Sequence, residues 1–205
     1  MGLLTIIKKQ KQKDKEIRCL VIGLDNSGKS TVVNRLLPED EREEKITPTI
    51  GFQIKTFTID NNFNINLWDV GGQNTLRPFW ENYFNKTDVL IWCIDISLPI
   101  RFNESFTELK NLVVKNGDRI GYDCHVVVIL NKIDLLEDED ETTNNLISNI
   151  EKQIQDSFNS ENGGNVQNSV DIINKRREVD FVRCSAISGE GIDTIKEVIV
   201  SRISR

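Results

Sequence analysis

Short apolar runs alternate along the chain with longer stretches of helical spacing. Continuous apolar runs of strand length occupy residues 17–22, 89–94, 126–130 and 179–182, while helical spacing marks residues 31–37, 103–114, 142–158 and 192–203. Strands without polar interruption suit a parallel sheet that is buried on both faces. The alternation therefore predicts an α/β fold, a doubly wound and mostly parallel sheet with flanking helices.

One pair of runs has a different spacing. Residues 52–59 and 63–67 are separated only by Asp60-Asn61-Asn62, which predicts a β-hairpin and hence one antiparallel strand. A helix is expected to follow Gln73 and to continue through Phe84. Residues 157–169 are rich in Asn, Ser and Gly, so we expect a surface loop there and assign no chemistry to it.

The first fifteen residues predict an amphipathic N-terminal helix that precedes a single domain of residues 16–205. Leu3, Leu4, Ile6 and Ile7 would form its apolar face, and lysines dominate the remainder. Gly2 invites acylation, but Ile6 stands where that motif needs Ser or Thr. Weak contact with anionic membranes and docking onto the protein's own core both remain open, and we favour docking.

Composition narrows the possible partners. The net charge is −6 over 205 residues and no basic face is evident beyond the first residues, which argues against nucleic-acid binding. Neither a secretory signal nor a membrane-length apolar run is present, so a cytoplasmic protein is expected. The four cysteines lack metal-ligand spacing and are expected to be small buried hydrophobes. His125 has no second histidine with which to form a catalytic pair.

The most informative stretch lies between the first strand and the first helix. It fits the phosphate-loop pattern G-x-x-x-x-G-K-[ST] at every fixed position. Its residues are Gly23, Leu24, Asp25, Asn26, Ser27, Gly28, Lys29 and Ser30. Backbone N–H groups of such a loop surround a phosphate chain, the lysine supplies positive charge, and the Ser30 hydroxyl is a hard ligand for Mg²⁺.

A second motif selects the base. Asn131-Lys132-Ile133-Asp134 follows the strand 126–130 directly. The Asp134 carboxylate can accept hydrogen bonds from guanine N1–H and from the exocyclic amine, a pattern that adenine lacks. Asn131 can bond the N7 edge, and the Lys132 stem can cover the ring. Ser185 and Ala186 follow another strand, and the Ala186 N–H could bond guanine O6.

With these residues the sequence resembles the Ras-like small GTPases, and among them the ADP-ribosylation factor (Arf) and Arf-like family. Pro48-Thr49-Ile50-Gly51-Phe52 and Trp68-Asp69-Val70-Gly71-Gly72-Gln73 carry the resemblance. It implies the P-loop small GTPase fold. The N-terminal residues, the phosphate loop and residues 77–84 look most like the branch of the second Arf-like member, which is tied to tubulin folding, and especially its fungal counterparts.

The resemblance also implies roles for individual residues. Thr49 and Ser30 would bind Mg²⁺ directly and Asp69 would do so through a water. The Gly72 N–H would bond the γ-phosphate, and Gln73 would be the catalytic residue that orients the attacking water. The GTP-binding set is completed by Thr31 at the start of the first helix. The cofactors are then GTP or GDP with Mg²⁺.

By the same resemblance, Phe52, Trp68 and Tyr83 match an aromatic triad offered to effectors, although ordinary core packing is the alternative. The chain also departs from the family. Asp25 stands where Ras-like proteins often have Gly, and its charge should hinder hydrolysis. Ser97-Leu98-Pro99-Ile100 replaces the usual acidic-arginine pair, so contacts made there in relatives cannot be carried over. No arginine is obviously placed as a finger in cis.

The resulting hypothesis is a monomeric GTP-binding switch with slow intrinsic hydrolysis that acts in tubulin folding and microtubule biogenesis. Its partners would be tubulin-folding cofactors, a GTPase-activating protein and an exchange factor, in the cytoplasm or on the cytoskeleton. Two alternatives remain open, a scaffold in which hydrolysis is incidental and a regulator of membrane traffic. A kinase is disfavoured because no acceptor-site signature is present.

Overall fold

A mixed six-stranded sheet forms the centre of the computed structural model, which describes residues 16–59, 63–84, 86–115, 124–136, 141–160 and 179–203. The strands run in the order β2-β3-β1-β4-β5-β6, and only the β2–β3 pair is antiparallel. They are β1 (Glu16–Ile22), β2 (Phe52–Ile59), β3 (Phe63–Val70), β4 (Val89–Asp95), β5 (His125–Asn131) and β6 (Val179–Cys184). The predicted mostly parallel sheet with one hairpin is confirmed.

Helices flank both faces of this sheet. The described α-helices are α1 (Lys29–Leu36), α2 (Phe102–Lys115), α3 (Glu141–Ser160) and α4 (Ile192–Ile203). Short 3₁₀ segments cover Glu39–Glu41, Arg77–Tyr83, Pro99–Arg101 and Ile133–Leu135. Two buried clusters result, one under α2 and α3 and the other under α1 and α4. Along β1 the side chains alternate between them, because successive residues of a strand point to opposite faces.

Two predicted elements differ from the structure. β3 continues through Val70, so Trp68 and Asp69 lie inside the strand, where they pair with Leu20 and Val21 of β1. The helix expected after Gln73 is a 3₁₀ segment instead. Proline occupies its first turn, and the buried Trp80 indole donates to the Gly71 carbonyl at 3.0 Å, which ties the segment to the end of β3.

The loop predicted for residues 157–169 begins later than expected. α3 extends through Ser160, because Phe158 is fully buried and continues the apolar face of the helix. The rest of that loop, the N-terminal helix and the turn at 60–62 lie outside the described residues. Among the residues that the structure covers, no helix is long and apolar enough to span a bilayer.

All four cysteines are free and buried, as expected. Burial raises the pKa of the Cys93 thiol to about 11 and also raises that of Cys184. Both thiols are therefore neutral near pH 7, which agrees with the expected packing role.

The burial pattern predicts where the fold is sensitive to substitution. Ile195 of α4 is fully buried, whereas 69% of Ile187 is exposed. Ile195→Ala should lower the free energy of unfolding by about 2–5 kcal/mol because it leaves a cavity. Ile187→Ala is the matched control and should change it by less than about 0.5 kcal/mol. Urea unfolding of both variants tests this, and equal losses would contradict the packing described here.

Candidate nucleotide and magnesium site

The phosphate loop between β1 and α1 leaves no room for side chains at two of its glycines. Gly23 has a φ of +145°, and a Cβ there would lie 2.3 Å from the Cys93 carbonyl oxygen of β4. Gly28 has a φ of +89°, and its Cβ would meet the Asn131 side-chain nitrogen at 2.2 Å. The fold therefore requires glycine at both positions, and the loop presents its backbone to an anion.

Lys29 begins α1 beneath this loop. Its ammonium donates to the Leu24 carbonyl at 2.7 Å and only 5% of the residue is exposed. Desolvation lowers the pKa of Lys29. The buried Ser27 hydroxyl has no hydrogen-bond partner, and Thr31 lies in the first turn of α1. A buried cation, an unpartnered hydroxyl and a helix N-terminus at one place suit a phosphate chain.

Three oxygen-bearing side chains meet beside the phosphate loop. The Ser30 and Thr49 hydroxyl oxygens are 2.8 Å apart, and the Thr49 hydroxyl donates to Asp69 Oδ2 at 3.0 Å. Asp69 Oδ1 is buried without a hydrogen-bond partner. Adjacent ligands of an octahedral Mg²⁺ are about 2.9 Å apart, so this donor set fits the ion. Bound there, Mg²⁺ would neutralise charge on the phosphates. Thr49 is 19 residues from Ser30 in the sequence, and the fold brings its hydroxyl next to that of Ser30.

Gly72 lies directly on the phosphate loop. The Asp25 N–H donates to the Gly72 carbonyl at 3.2 Å, and a Cβ on Gly72 would lie 2.3 Å from the Gly23 carbonyl oxygen. Gln73 follows with an exposed side chain that no hydrogen bond from the described residues engages. Gln73 is therefore free to contact a water near the terminal phosphate.

The two switch segments are connected to each other. The Gly71 N–H donates to the Gly51 carbonyl at 2.9 Å, which joins the segment after β3 to the segment before β2. The Gly71 carbonyl in turn accepts the Trp80 indole N–H. Movement of one segment must therefore disturb the other.

Asn131 makes two hydrogen bonds within the protein beside the predicted base site. Its amide nitrogen donates to the Ser27 carbonyl at 2.9 Å, and its Oδ1 accepts the Ala186 N–H at 3.1 Å. Both groups that were expected to contact guanine, the Asn131 amide and the Ala186 N–H, therefore have protein partners, and the expected bonds to the N7 edge and to O6 stay predictions. Asn131 is a buried brace between the phosphate loop and the loop after β6.

The other residues predicted to bind guanine differ in their exposure and in their hydrogen bonds. Asp134 is exposed and accepts no hydrogen bond from the described residues, so its carboxylate can read a guanine edge. Lys132 is in the left-handed region and its ammonium bonds Asp95 at 2.6 Å, which fixes the stem. Ser185 is buried, and its hydroxyl accepts the Ser188 N–H, so it shapes the loop. The sequence reasoning missed Asp95, whose place at a strand end was the available signal.

Two arginines that the sequence reasoning missed meet at Asp25. Arg101 Nη2 and Arg77 Nη2 lie 2.9 and 3.3 Å from Asp25 Oδ1. The sequence reasoning found no arginine obviously placed as a finger in cis, and in the structure both guanidinium groups bond Asp25. Arg101 directly follows the unusual Ser97-Leu98-Pro99-Ile100 sequence after β4, so this segment contacts the phosphate loop through Arg101.

The aromatic triad is assembled as expected. The Phe52 and Trp68 rings stack with centroids 5.6 Å apart, and Tyr83 packs against both, at 5.4 Å from Phe52 and 6.4 Å from Trp68. Phe52 remains 45% exposed. The triad draws one residue from each hairpin strand and one from the segment after Gln73. Trp68 and Tyr83 are half-buried and also pack against the core under α2 and α3, so the cluster reaches the surface chiefly through Phe52.

The comparisons with known proteins agree with this site. The model of the ADP-ribosylation factor family matches residues 3–203. The chain belongs to the ADP-ribosylation factor family. It is 39% identical over 207 residues to the ADP-ribosylation factor-like protein 2 of Arabidopsis thaliana, covering 99% of this chain and 98% of that protein.

The chain is also similar to a further relative in sequence and to a solved structure in fold. The ADP-ribosylation factor-like protein alp41 of Schizosaccharomyces pombe is 42% identical over 135 residues, which are 66% of this chain and 69% of that protein. The Arl6 BBS3 small GTPase of Trypanosoma brucei, solved with the nucleotide analogue GppNp, superposes with a TM-score of 0.71 at 20% identity. This superposition covers 93% of this chain and 98% of that chain, and it shows the fold alone.

This Arf-family protein is thus a GTPase. It binds GTP or GDP with Mg²⁺ and hydrolyses GTP to GDP and phosphate, slowly without an activating partner. The individual site residues remain predictions, which the following substitutions test.

Asp134→Asn should reverse base preference. The substitution replaces an acceptor by a donor that faces guanine N1–H, so GTP affinity should fall about 100-fold, while xanthosine triphosphate should bind more tightly. Competitive nucleotide titration measures both changes. Asp193→Asn, an exposed carboxylate on α4, is the matched control and should leave both affinities unchanged. Unaltered GTP affinity in Asp134→Asn would place the base elsewhere.

Gln73→Leu should suppress hydrolysis and spare binding. Without its amide the attacking water loses its orienting group, so the rate stimulated by an activating protein should fall at least about 100-fold. Single-turnover measurements with saturating GTP test this, with Gln153→Leu on the exposed face of α3 as control. A stimulated rate that survived in Gln73→Leu would remove Gln73 from the mechanism.

Proposed function

We propose that this Arf-family GTPase is a nucleotide-dependent switch in tubulin folding and microtubule biogenesis, recognised in its GTP form by tubulin-folding cofactors. Several of its relatives carry the name ADP-ribosylation factor-like protein 2. The N-terminal residues, the phosphate loop and residues 77–84 resemble the same branch, which is tied to tubulin folding.

The exposed aromatic triad is the observation that carries the switch proposal. Three exposed apolar side chains lie near its members in the chain: Ile50 and Ile54 flank Phe52, and Phe79 precedes Tyr83 in the same 3₁₀ segment. Their exposed fractions are 88% for Ile50, 45% for Ile54 and 55% for Phe79. Exposed aromatic and aliphatic side chains in one region of the surface are typical of a protein-binding site.

This surface is also connected to the nucleotide site. Phe52 lies three residues after Thr49, and Trp68 immediately precedes Asp69 in β3. Two triad members therefore adjoin the Mg²⁺ donor set, while Tyr83 ends the segment that begins at Gln73. Loss of the γ-phosphate would release Thr49 and Gly72, and the triad would change with them.

The regulators follow from the same geometry. Because hydrolysis is slow and Gln73 lies exposed, an activating protein would complete the site, and an exchange factor would replace GDP. We place the protein in the cytoplasm, as a monomer, with access to the cytoskeleton. A passive scaffold is the competing function, and it would bind partners equally in both nucleotide states.

A nucleotide-dependent capture tests this function. The purified chain, loaded with GDP or with a non-hydrolysable GTP analogue, is incubated with individual purified tubulin-folding cofactors. The GTP-like form should bind at least one of them about tenfold more tightly, and Phe52→Ala should abolish this preference. Leu98→Ala, which removes an apolar side chain of similar exposure (40%) outside the triad, is the matched control.

The outcomes separate the alternatives. Equal capture in both nucleotide states would support the scaffold. Failure to capture any tubulin-folding cofactor would remove the tubulin pathway and would leave the GTPase assignment intact.

A further inference from the structure

Arg101 contacts the phosphate loop at two separate groups of one residue. Its Nη1 donates to the Asp25 main-chain carbonyl at 2.9 Å, and its Nη2 donates to Asp25 Oδ1, also at 2.9 Å. A guanidinium that binds both the main chain and the side chain fixes the direction of the Asp25 carboxylate.

Arg77 approaches the same carboxylate from the segment after Gln73. Its Nη2 lies 3.3 Å from Asp25 Oδ1, and its Nε donates to the Gly72 carbonyl at 3.0 Å. Only 8% of the Arg77 side chain is exposed. The Gly72 carbonyl therefore accepts from both Arg77 and the Asp25 N–H, and the three residues are held as one unit.

Carboxylates of α2 hold the two arginines in turn. Glu104 bonds Arg101 Nε at 3.1 Å and Arg77 Nη1 at 2.8 Å, and Glu108 lies 3.2 Å from Arg77 Nη1. We name Asp25, Arg77, Arg101 and Glu104 the Asp25 clamp. Glu104 lies on the helix α2, so the clamp is anchored to a regular element of the fold.

The direction of the Asp25 carboxylate matters because of where Asp25 lies. Its N–H contacts Gly72, the residue whose own N–H would bond the γ-phosphate, so the carboxylate lies beside the place of that phosphate. The Arg101 hydrogen bond holds the pKa of the Asp25 carboxyl below its usual value, so the group is charged near pH 7. A charged carboxylate turned towards the γ-phosphate would repel GTP and would leave GDP unaffected.

The Arg101 guanidinium is held by protein acceptors at each of its nitrogens. Its Nε bonds Glu104, its Nη1 bonds the Asp25 carbonyl and its Nη2 bonds the Asp25 carboxylate. Every nitrogen of the guanidinium thus has a protein acceptor in this structure. Three of its five N–H groups therefore bond the protein, and two of these three bonds fix Asp25.

We propose that Arg101 is a positioning residue that holds the Asp25 carboxylate away from the γ-phosphate and thereby raises the affinity of this GTPase for GTP relative to GDP. Arg77 extends the effect to Gly72. The inference rests on GTP binding and is independent of the tubulin pathway, so failure of cofactor capture would not affect it.

Arg101→Gln should release the Asp25 carboxylate and lower GTP affinity relative to GDP by about tenfold. Competitive displacement of a fluorescent GDP by each nucleotide, in Mg²⁺, measures the ratio. Arg101→Lys keeps the charge but cannot make both bonds, so it should restore the ratio in part. Arg183→Gln is the matched control, since that arginine is exposed and pairs with Glu151 at 3.5 Å, outside the clamp.

A double substitution separates positioning from a structural role. In an Asp25→Asn background no charge remains to repel the γ-phosphate, so Arg101→Gln should change the GTP/GDP ratio by less than about twofold. Equal losses of GTP and GDP affinity, an unchanged ratio in Arg101→Gln, or a full effect in the Asp25→Asn background would each overturn the proposal. If Arg101→Gln fails to fold, as judged by circular dichroism, the same comparison is made with Arg101→Lys.

Discussion

A hydrogen bond between two main-chain groups, from the Asp25 N–H to the Gly72 carbonyl, connects the phosphate loop to the segment that follows β3. The bond requires a close approach, because a Cβ on Gly72 would lie within 2.4 Å of both the Gly23 oxygen and the Asp25 nitrogen. Glycine at position 72 is therefore a steric necessity. Everything that reports the nucleotide state to the surface depends on this contact, since the peptide that would sense the γ-phosphate is fixed by it.

A few hydrogen bonds connect the segment at Gly72 to the protein surface. Gly71 binds Gly51 through its N–H and Trp80 through its carbonyl, so the segments on both sides of the site meet at one residue. The triad lies at the outer end of these contacts. Arg18 of β1 supports it from beneath, with its guanidinium carbon 3.8 Å from the centre of the Trp68 ring and an Nη2 bond to the Tyr83 carbonyl. The aromatic surface thus rests partly on a strand outside the switches.

The sequence predicts most of the fold because its strands are buried on both faces and therefore appear as uninterrupted apolar runs. The extension of β3 was missed because Trp68 and Asp69 break that pattern, and only pairing with β1 and β2 makes them strand residues. Local motifs likewise identified the phosphate loop and the Mg²⁺ donors. The contacts that Asn131 and Arg101 make with the phosphate loop were not predicted, since their partners lie 104 and 76 residues away in the chain, a distance over which single-sequence patterns carry no information.

The arginines also change the meaning of Asp25. Read from the sequence, its charge only hinders hydrolysis. In the structure the carboxylate is 46% exposed and the Arg101 side chain is 28% exposed, so the ion pair adds only about 0.2–1 kcal/mol to folding stability. The electrostatic effect on a bound phosphate is larger, because two unit charges 4 Å apart near a protein surface interact by about 4 kcal/mol. The ion pair between Asp25 and Arg101 contributes little to folding stability and can still have a large effect on which nucleotide the protein prefers. Whether this effect favours GTP or GDP depends on the direction of the Asp25 carboxylate.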